Sequence, residues 1–275
     1  MPVRHEPNAV LPAGVLRSVR RLTQRRGRDI AGRFLVEGRQ AVREALAAGG
    51  LVHEVIVDDP DKHADLLADF DGQVWTADQG AMRQISDTVT PQGIVAVCEQ
   101  LRHGLDALDG ARLVCICAQV RDPGNAGTVI RAADAFGADA VVLTAGSVDV
   151  HNPKVVRSTV GSLFHLPIVT GPKLAEIVEH VHRLGMQVLA ADDDGAPLDL
   201  KQQRGELAAP TAWIMGNEAW GLPEEDRALA DEVVAVPMWG GAESLNLSSA
   251  AAVCLYATAS AQRRSREGAP HERAE

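Results

Sequence analysis

The chain has 275 residues, 46% of them apolar and 23% charged, with a net charge of −10 at neutral pH. That is the composition of a globular protein long enough to hold two cores. It excludes a helical membrane protein, because no stretch approaches the length of an uninterrupted apolar span. The opening MPVRHEPNAV lacks the apolar centre of a secretory signal, so a cytoplasmic protein is expected.

Charge is unevenly spread along the chain. Residues 1–33 hold Arg4, Arg17, Arg20, Arg21, Arg25, Arg26, Arg28 and Arg33 against Glu6 and Asp29, a local excess of six positive charges that leaves −16 for the remainder. Such asymmetry reads as a basic arm for phosphates, centred on Arg20, Arg21, Arg25, Arg26 and Arg28. A solvated helix face has the same composition, and the cluster alone does not separate the two.

After this segment come RFLVEG (strand), RQAVREALAAGG (helix ending in glycine), VHEVIVDD (strand) and DKHADLLADF (helix). QVWTAD (strand), QGAMRQIS (helix) and GIVAVCEQ (strand) complete a first block, and the alternation predicts a small α/β domain over residues 1–100. The polar, glycine-punctuated LRHGLDALDGA, residues 101–111, reads as a linker. A second domain is expected over 112–263. It opens with RLVCICAQV, a continuous apolar run of the kind a buried parallel strand needs. AGTVIRAADAFG follows as a helix, ADAVVLT as a strand, and NPKVVRSTVGSLFHLPIV as a helix turning into a short strand. KLAEIVEHVHRLG is amphipathic, with Leu174, Ile177, Val178 and Val181 on one face. MQVLAAD, TAWIMG and DEVVAVP supply the remaining strands, and a final helix starts near Asn246. The charged tail, 264–275, has no apolar periodicity and is expected to be disordered. Cys98, Cys115, Cys117 and Cys254 form no C-x-x-C pair and read as buried thiols, so no metal is expected.

A parallel sheet with helices on both faces binds ligands beyond the carboxyl ends of its strands. Three of those ends are unusually polar: RDPGNAGTVIR after the first strand, GNEAWGLP after TAWIMG, and WGGAESLNLS after DEVVAVP. None contains the glycine pattern of a dinucleotide loop, a phosphate-binding P-loop or a nucleophile elbow. Read separately, each has a plain structural explanation. Asn125 could cap the helix that follows it, Ser244 or Asn246 the last helix, Arg131 could be an exposed helical arginine, and Glu218 a turn carboxylate.

Together, in this order, NAGTVIR, IMGNEAWGLP and VPMWGGAESLNLSSAAAV resemble the SpoU (TrmH-type) family of RNA ribose 2′-O-methyltransferases over residues 112–260. RFLVEGRQAVREAL resembles the small substrate-binding domain that many members carry. The resemblance implies an α/β fold whose parallel-sheet catalytic domain is tied in a C-terminal trefoil knot, with a small N-terminal α/β substrate-binding domain. It also implies S-adenosylmethionine as methyl donor and RNA as acceptor, ribosomal RNA ahead of transfer RNA. A non-catalytic RNA-binding protein on the same fold is the alternative from another class. The motifs nominate Arg131, Asn125, Glu218, Ser244 and Asn246 for catalysis and Gly216, Val236, Leu245, Met238 and Leu222 for the cofactor. Arg157 and Ser158 take a supporting role on RNA, while His151 and His165 read as structural. The family also implies a homodimer built on the apolar C-terminal helix, with Ala251 and Leu255 as candidate interface positions.

Overall fold

Eleven β-strands arrange themselves in two separate sheets in a computed structural model that describes residues 9–217 and 219–267. The chain divides into two compact units, passing between them first after residue 101, at the start of the expected linker, and again on either side of residues 149–165. Unit 1 comprises residues up to 101 together with 149–165, and unit 2 comprises 102–148 and 166 onward.

In unit 1 the strands are β1 (Ala9–Val10), β2 (Arg33–Glu37), β3 (Val52–Val57), β4 (Gln73–Thr76) and β5 (Ile94–Glu99), in the spatial order β1-β4-β3-β5-β2. β4 pairs in parallel with β1 and β3, and β5 runs antiparallel between β3 and β2. Strand side chains alternate between faces. Leu35, Ile56, Val95 and Val97 therefore meet Val19 and Leu22 from the basic N-terminal segment. That segment is no loose arm. It folds into two helices, Ala13–Arg21 and Arg25–Ala31; the first packs Val15, Leu16 and Val19 on the core, and the second buries only Arg28. Phe34, on the other face of β2, packs against a tilted His151 ring and a stacked Phe164 ring at centroid distances of 4.6 and 6.3 Å. This is why residues 149–165 belong to unit 1: the helix Pro153–Thr159 covers β2.

Unit 2 carries β6 (Leu113–Cys117), β7 (Ala140–Leu143), β8 (Ile168–Thr170), β9 (Gln187–Pro197), β10 (Thr211–Met215) and β11 (Glu232–Ala235). Their order is β11-β9-β10-β6-β7-β8 and every pairing is parallel. Helices cover both faces. The amphipathic helix Leu174–Arg183 places Ile177, Val178 and Val181 against Val114, Ile116, Val188 and Ile214. On the opposite face the helices Pro123–Phe136 and Leu247–Glu267 pack on each other, and Trp213 donates its indole N–H to Thr258 Oγ1 at 2.9 Å. The expected linker is part of this unit. Residues Leu105–Leu108 form a helical turn, and Leu108 is fully buried in the core. The final helix runs to Glu267, past the expected start of the tail; residues 268–275 lie outside those described, as do Arg4 and Glu6. All four cysteines are buried and unbridged, and burial pushes the Cys254 thiol up to about 12. Among the described residues no helix is long and apolar enough to cross a membrane.

Candidate active site

The loops that follow β6, β10 and β11 gather at the carboxyl end of the unit 2 sheet. There Met215, Gly216, Val236, Met238, Leu245 and Ala250 enclose a cleft of about 550 Å³, the size of a cofactor site. Each loop is fixed by its own capping chemistry. After β6, Asp122 Oδ1 accepts the backbone N–H of Asn125 at 2.8 Å and starts the helix Pro123–Phe136. Asn125 is therefore not the cap, and its side chain serves another contact. After β11, Asn246 Oδ1 accepts the Ser248 N–H at 2.9 Å and caps the last helix, while Asn246 Nδ2 donates to Asn125 Oδ1 at 3.0 Å. One amide thus joins the first motif to the third.

The second motif is closed by a residue the sequence reading passed over. Asn217 is buried; its Nδ2 donates to the Gln119 carbonyl at 2.6 Å and its Oδ1 accepts from Ala219 N–H at 2.8 Å. Paired backbone bonds between Asn217 and Gly221, both 2.9 Å, complete the turn. Gln119 stands in the left-handed region with φ +51°, costly for a side chain of its kind. Its own N–H is held by Thr144 Oγ1 at 2.8 Å. The G-N-E pattern contained the signal for Asn217, but a buried asparagine is recognised only once its two partners are in place.

Gly216 has no room for a side chain: a Cβ there would lie 2.7 Å from the Gly221 carbonyl carbon and 3.0 Å from Leu222 Cγ. Leu222 therefore sits behind Gly216 in the core, 5% exposed, and does not line the cleft. At Gly240 and Gly241 a Cβ would meet nothing within 4 Å, so packing within one chain does not require either glycine. A further wall comes from an irregular strand pair. β11 lies beside Ala190 and then Ala196 of β9, skipping residues 191–195, and Ala191, Asp192 and Asp193 reach the cleft. Apolar periodicity did not distinguish this stretch from an ordinary strand end.

Residues 112–256 match the sequence profile of the SpoU rRNA Methylase family, and residues 15–96 that of the MRM3-like substrate binding domain. RlmP of Bacillus subtilis, a 23S rRNA (guanosine(2553)-2'-O)-methyltransferase, is 37% identical over 239 residues, 86% of this chain and 92% of its own. The chain belongs to the SpoU rRNA methylase family. A 23S rRNA (uridine(2479)-2'-O)-methyltransferase of Streptomyces viridochromogenes is 32% identical over 246 residues, 86% of this chain and 85% of its own. The AdoMet-bound rRNA methyltransferase from Sinorhizobium meliloti superposes with a TM-score of 0.80 at 28% identity, over 95% of this chain and 99% of that one.

Set on this SpoU domain, the nominated residues divide. Gly216, Val236, Met238, Leu245, Ser244 and Asn246 line one cleft, and Asn125 is tied to it. Arg131 does not line it. It is exposed on the stripe Gly124, Thr128, Arg131 and Ala135 of its helix. Glu218 lies outside the described residues. Two arginines nominated for RNA are engaged inside unit 1. Arg28, 2% exposed, donates to Asp149 and to the carbonyls of Leu22 and Thr23, and so locks the turn between the two basic helices. Arg157 pairs with Asp87 at 3.2 Å and Glu37 at 3.6 Å. Ser158 donates to the Lys154 carbonyl. Arg20, Arg21, Arg25 and Arg26 remain exposed, as an RNA-binding face requires.

Proposed function

We propose that the chain transfers the methyl group of S-adenosylmethionine to a ribose 2′-hydroxyl of ribosomal RNA, in the cytoplasm. The observation that carries this reading is the Asn246–Asn125 link across a cofactor-sized cleft, which ties two motif loops of a SpoU domain into one site. The cleft suits the donor: Met215, Val236 and Leu245 offer apolar surface, loop backbone offers partners for an adenine edge, and Asp192 and Asp193 suit an ammonium group. When bound, S-adenosylmethionine supplies an electrophilic methyl. The protein's part is to place a hydroxyl in line with it, so positioning dominates. Gly216, Val236, Met238 and Leu245 hold the donor; Asn125, Ser244 and Asn246 order the acceptor; Glu218 orients it. Arg131 anchors the phosphate and stabilises the developing alkoxide, since an arginine holds its proton too firmly to serve as a base.

Arg131 is exposed and does not line its own cleft, which supports a homodimer whose second copy completes the acceptor site. Val253 and Tyr256 support it too: both are exposed on the last helix, and Tyr256 packs edge-on against Phe136, with centroids 5.5 Å apart, on the helix that carries Arg131. A trefoil knot in the C-terminal loops is the path the family implies. The return of the chain from the edge strand β11 to a helix over β6 and β10 supports it. The test is tritiated-methyl transfer to unmodified ribosomal and transfer RNA, followed by mapping of the label. Ribose 2′-O-methylation of large-subunit RNA is expected. Label on a base, on transfer RNA alone, or nowhere overturns the reading.

A further inference from the structure

The chain has four tryptophans, one tyrosine and four phenylalanines. Two tryptophans are internal fixtures: Trp213 is fully buried on Thr258, and Trp75 donates to Glu54 Oε2 at 2.6 Å. The other two stand open to solvent in unit 2. Trp220 lines it and is 46% exposed, and Trp239, next to the lining residue Met238, is 88% exposed. Leaving such rings in water forgoes the largest burial gain a side chain offers, and none of the loop contacts described above needs either indole.

Trp220 is nevertheless held firmly. Its turn is closed by the Asn217–Gly221 backbone pair and by Ala219 N–H on Asn217 Oδ1. The Arg121 guanidinium lies over its ring, 4.8 Å from the centroid. Arg121 immediately precedes Asp122, the cap of the helix whose Asn125 bonds Asn246. The ring is thus tied to the loop on the Asn125 side of the cleft's polar link.

We propose that Trp220, backed by Arg121, is the platform on which the base of the acceptor nucleotide stacks, with Arg121 taking that nucleotide's phosphate. This rests on the RNA-methylation reading above. A ribose hydroxyl reaches a recessed donor only when its nucleotide leaves the stack of its neighbours, and an aromatic ring replaces the stacking it loses. Charge selects the occupant. S-adenosylmethionine carries a sulfonium and an ammonium against one carboxylate and is repelled by Arg121, whereas RNA is a polyanion. Stacking is tolerant of base identity, so this platform sets position and leaves the choice of nucleotide to other contacts.

The test uses the full chain with an unmodified large-subunit ribosomal RNA transcript and, separately, with S-adenosylmethionine. Trp220→Ala is expected to weaken RNA affinity about tenfold while leaving S-adenosylmethionine affinity within about twofold. Trp220→Phe keeps RNA affinity within about threefold and removes most of the RNA-induced quench of tryptophan fluorescence, a signature that a merely structural ring does not give. With an active wild type, undiminished RNA affinity in Trp220→Ala overturns the proposal. So does an equal loss of S-adenosylmethionine affinity, which assigns the ring to the donor. A wild type that neither binds RNA nor transfers methyl overturns the underlying reading instead.

Discussion

Asn246 combines two tasks in one amide, and substitution can separate them. Asn246→Asp keeps the oxygen that caps the last helix but loses the donor to Asn125. Aspartate caps as well as asparagine, so the melting temperature should stay within about 2 °C. Methyl transfer should fall at least about fivefold, the weight of one lost hydrogen bond. Equal transfer by mutant and wild type would remove Asn246 from the acceptor site. The cleft itself needs a probe that does not disturb the fold. Gly216 is a poor choice, because any Cβ collides with the Gly221 backbone and the loop must shift. Ala250 lines the cleft from the first turn of a helix, and leucine is nearly as good a helix former. Ala250→Leu should therefore weaken S-adenosylmethionine by calorimetry at least tenfold with stability retained; unchanged affinity would place the cofactor elsewhere. At this scale the motifs were legible as residue types in order, and Gly216, Ser244, Leu245 and Asn246 do share one cleft. Trp220, Gln119 and Asn217 were not legible, because their roles depend on partners about 100 residues away in sequence.

The two basic helices of unit 1 show how a charge count misleads when burial is unknown. Arg28 was one arginine among eight, yet it is a buried anchor, and Asp149 is its partner across 121 residues. Burial pushes the Asp149 carboxyl up, but hydrogen bonds from Arg28 and the His151 N–H, with the Arg28 charge, hold it below the usual carboxylate range. A carboxyl whose folded value is depressed contributes stability above its unfolded value, near pH 4, and loses that contribution as pH falls through the folded value. Arg28→Met should therefore cost about 3 kcal/mol in urea unfolding at pH 7, and the gap to wild type should narrow below about pH 4. A gap independent of pH would mean that packing, not the ion pair, is what Arg28 provides. The exposed arginines are a separate matter. Replacing Arg20, Arg21, Arg25 and Arg26 with serine leaves Val19, Leu22 and Arg28 in the core, whereas deleting the segment would remove all three. If these side chains bind phosphates, the fourfold variant should flatten the slope of log RNA affinity against log salt by up to about three to four. An unaltered slope would make them a solvated face.

Across the whole molecule, strands were the most legible feature: runs such as RLVCICAQV and GIVAVCEQ are too apolar and too short to be anything else. Assembly was less legible. The last helix looked apolar all round, but Ala251 and Leu255 are fully buried within the single chain, so a charge at either would destabilise the fold before it reported on a partner. The exposed apolar positions are Val253, 40% accessible, and Tyr256, 60%. A charge placed in a two-fold interface meets its own copy. Val253→Glu should therefore shift sedimentation at micromolar concentration from dimer to monomer and lower methyl transfer more than cofactor affinity. A wild type that sediments as a fully active monomer would end the dimer proposal.

The passage of residues 149–165 into unit 1 also sets a timetable for folding. The chain leaves unit 1 after residue 101, builds the first two strands of unit 2, and returns to supply the segment that covers β2. As the chain emerges during synthesis, the first hundred residues arrive without the partners of Phe34 and Arg28, namely His151, Phe164 and Asp149. Unit 1 therefore cannot be completed before unit 2 has been begun. Completion of unit 1 waits until about two-thirds of unit 2's strands are still to come, so a fragment cut at the expected domain boundary would expose an apolar sheet face, while one ending after residue 165 would carry every residue of unit 1 but only part of unit 2.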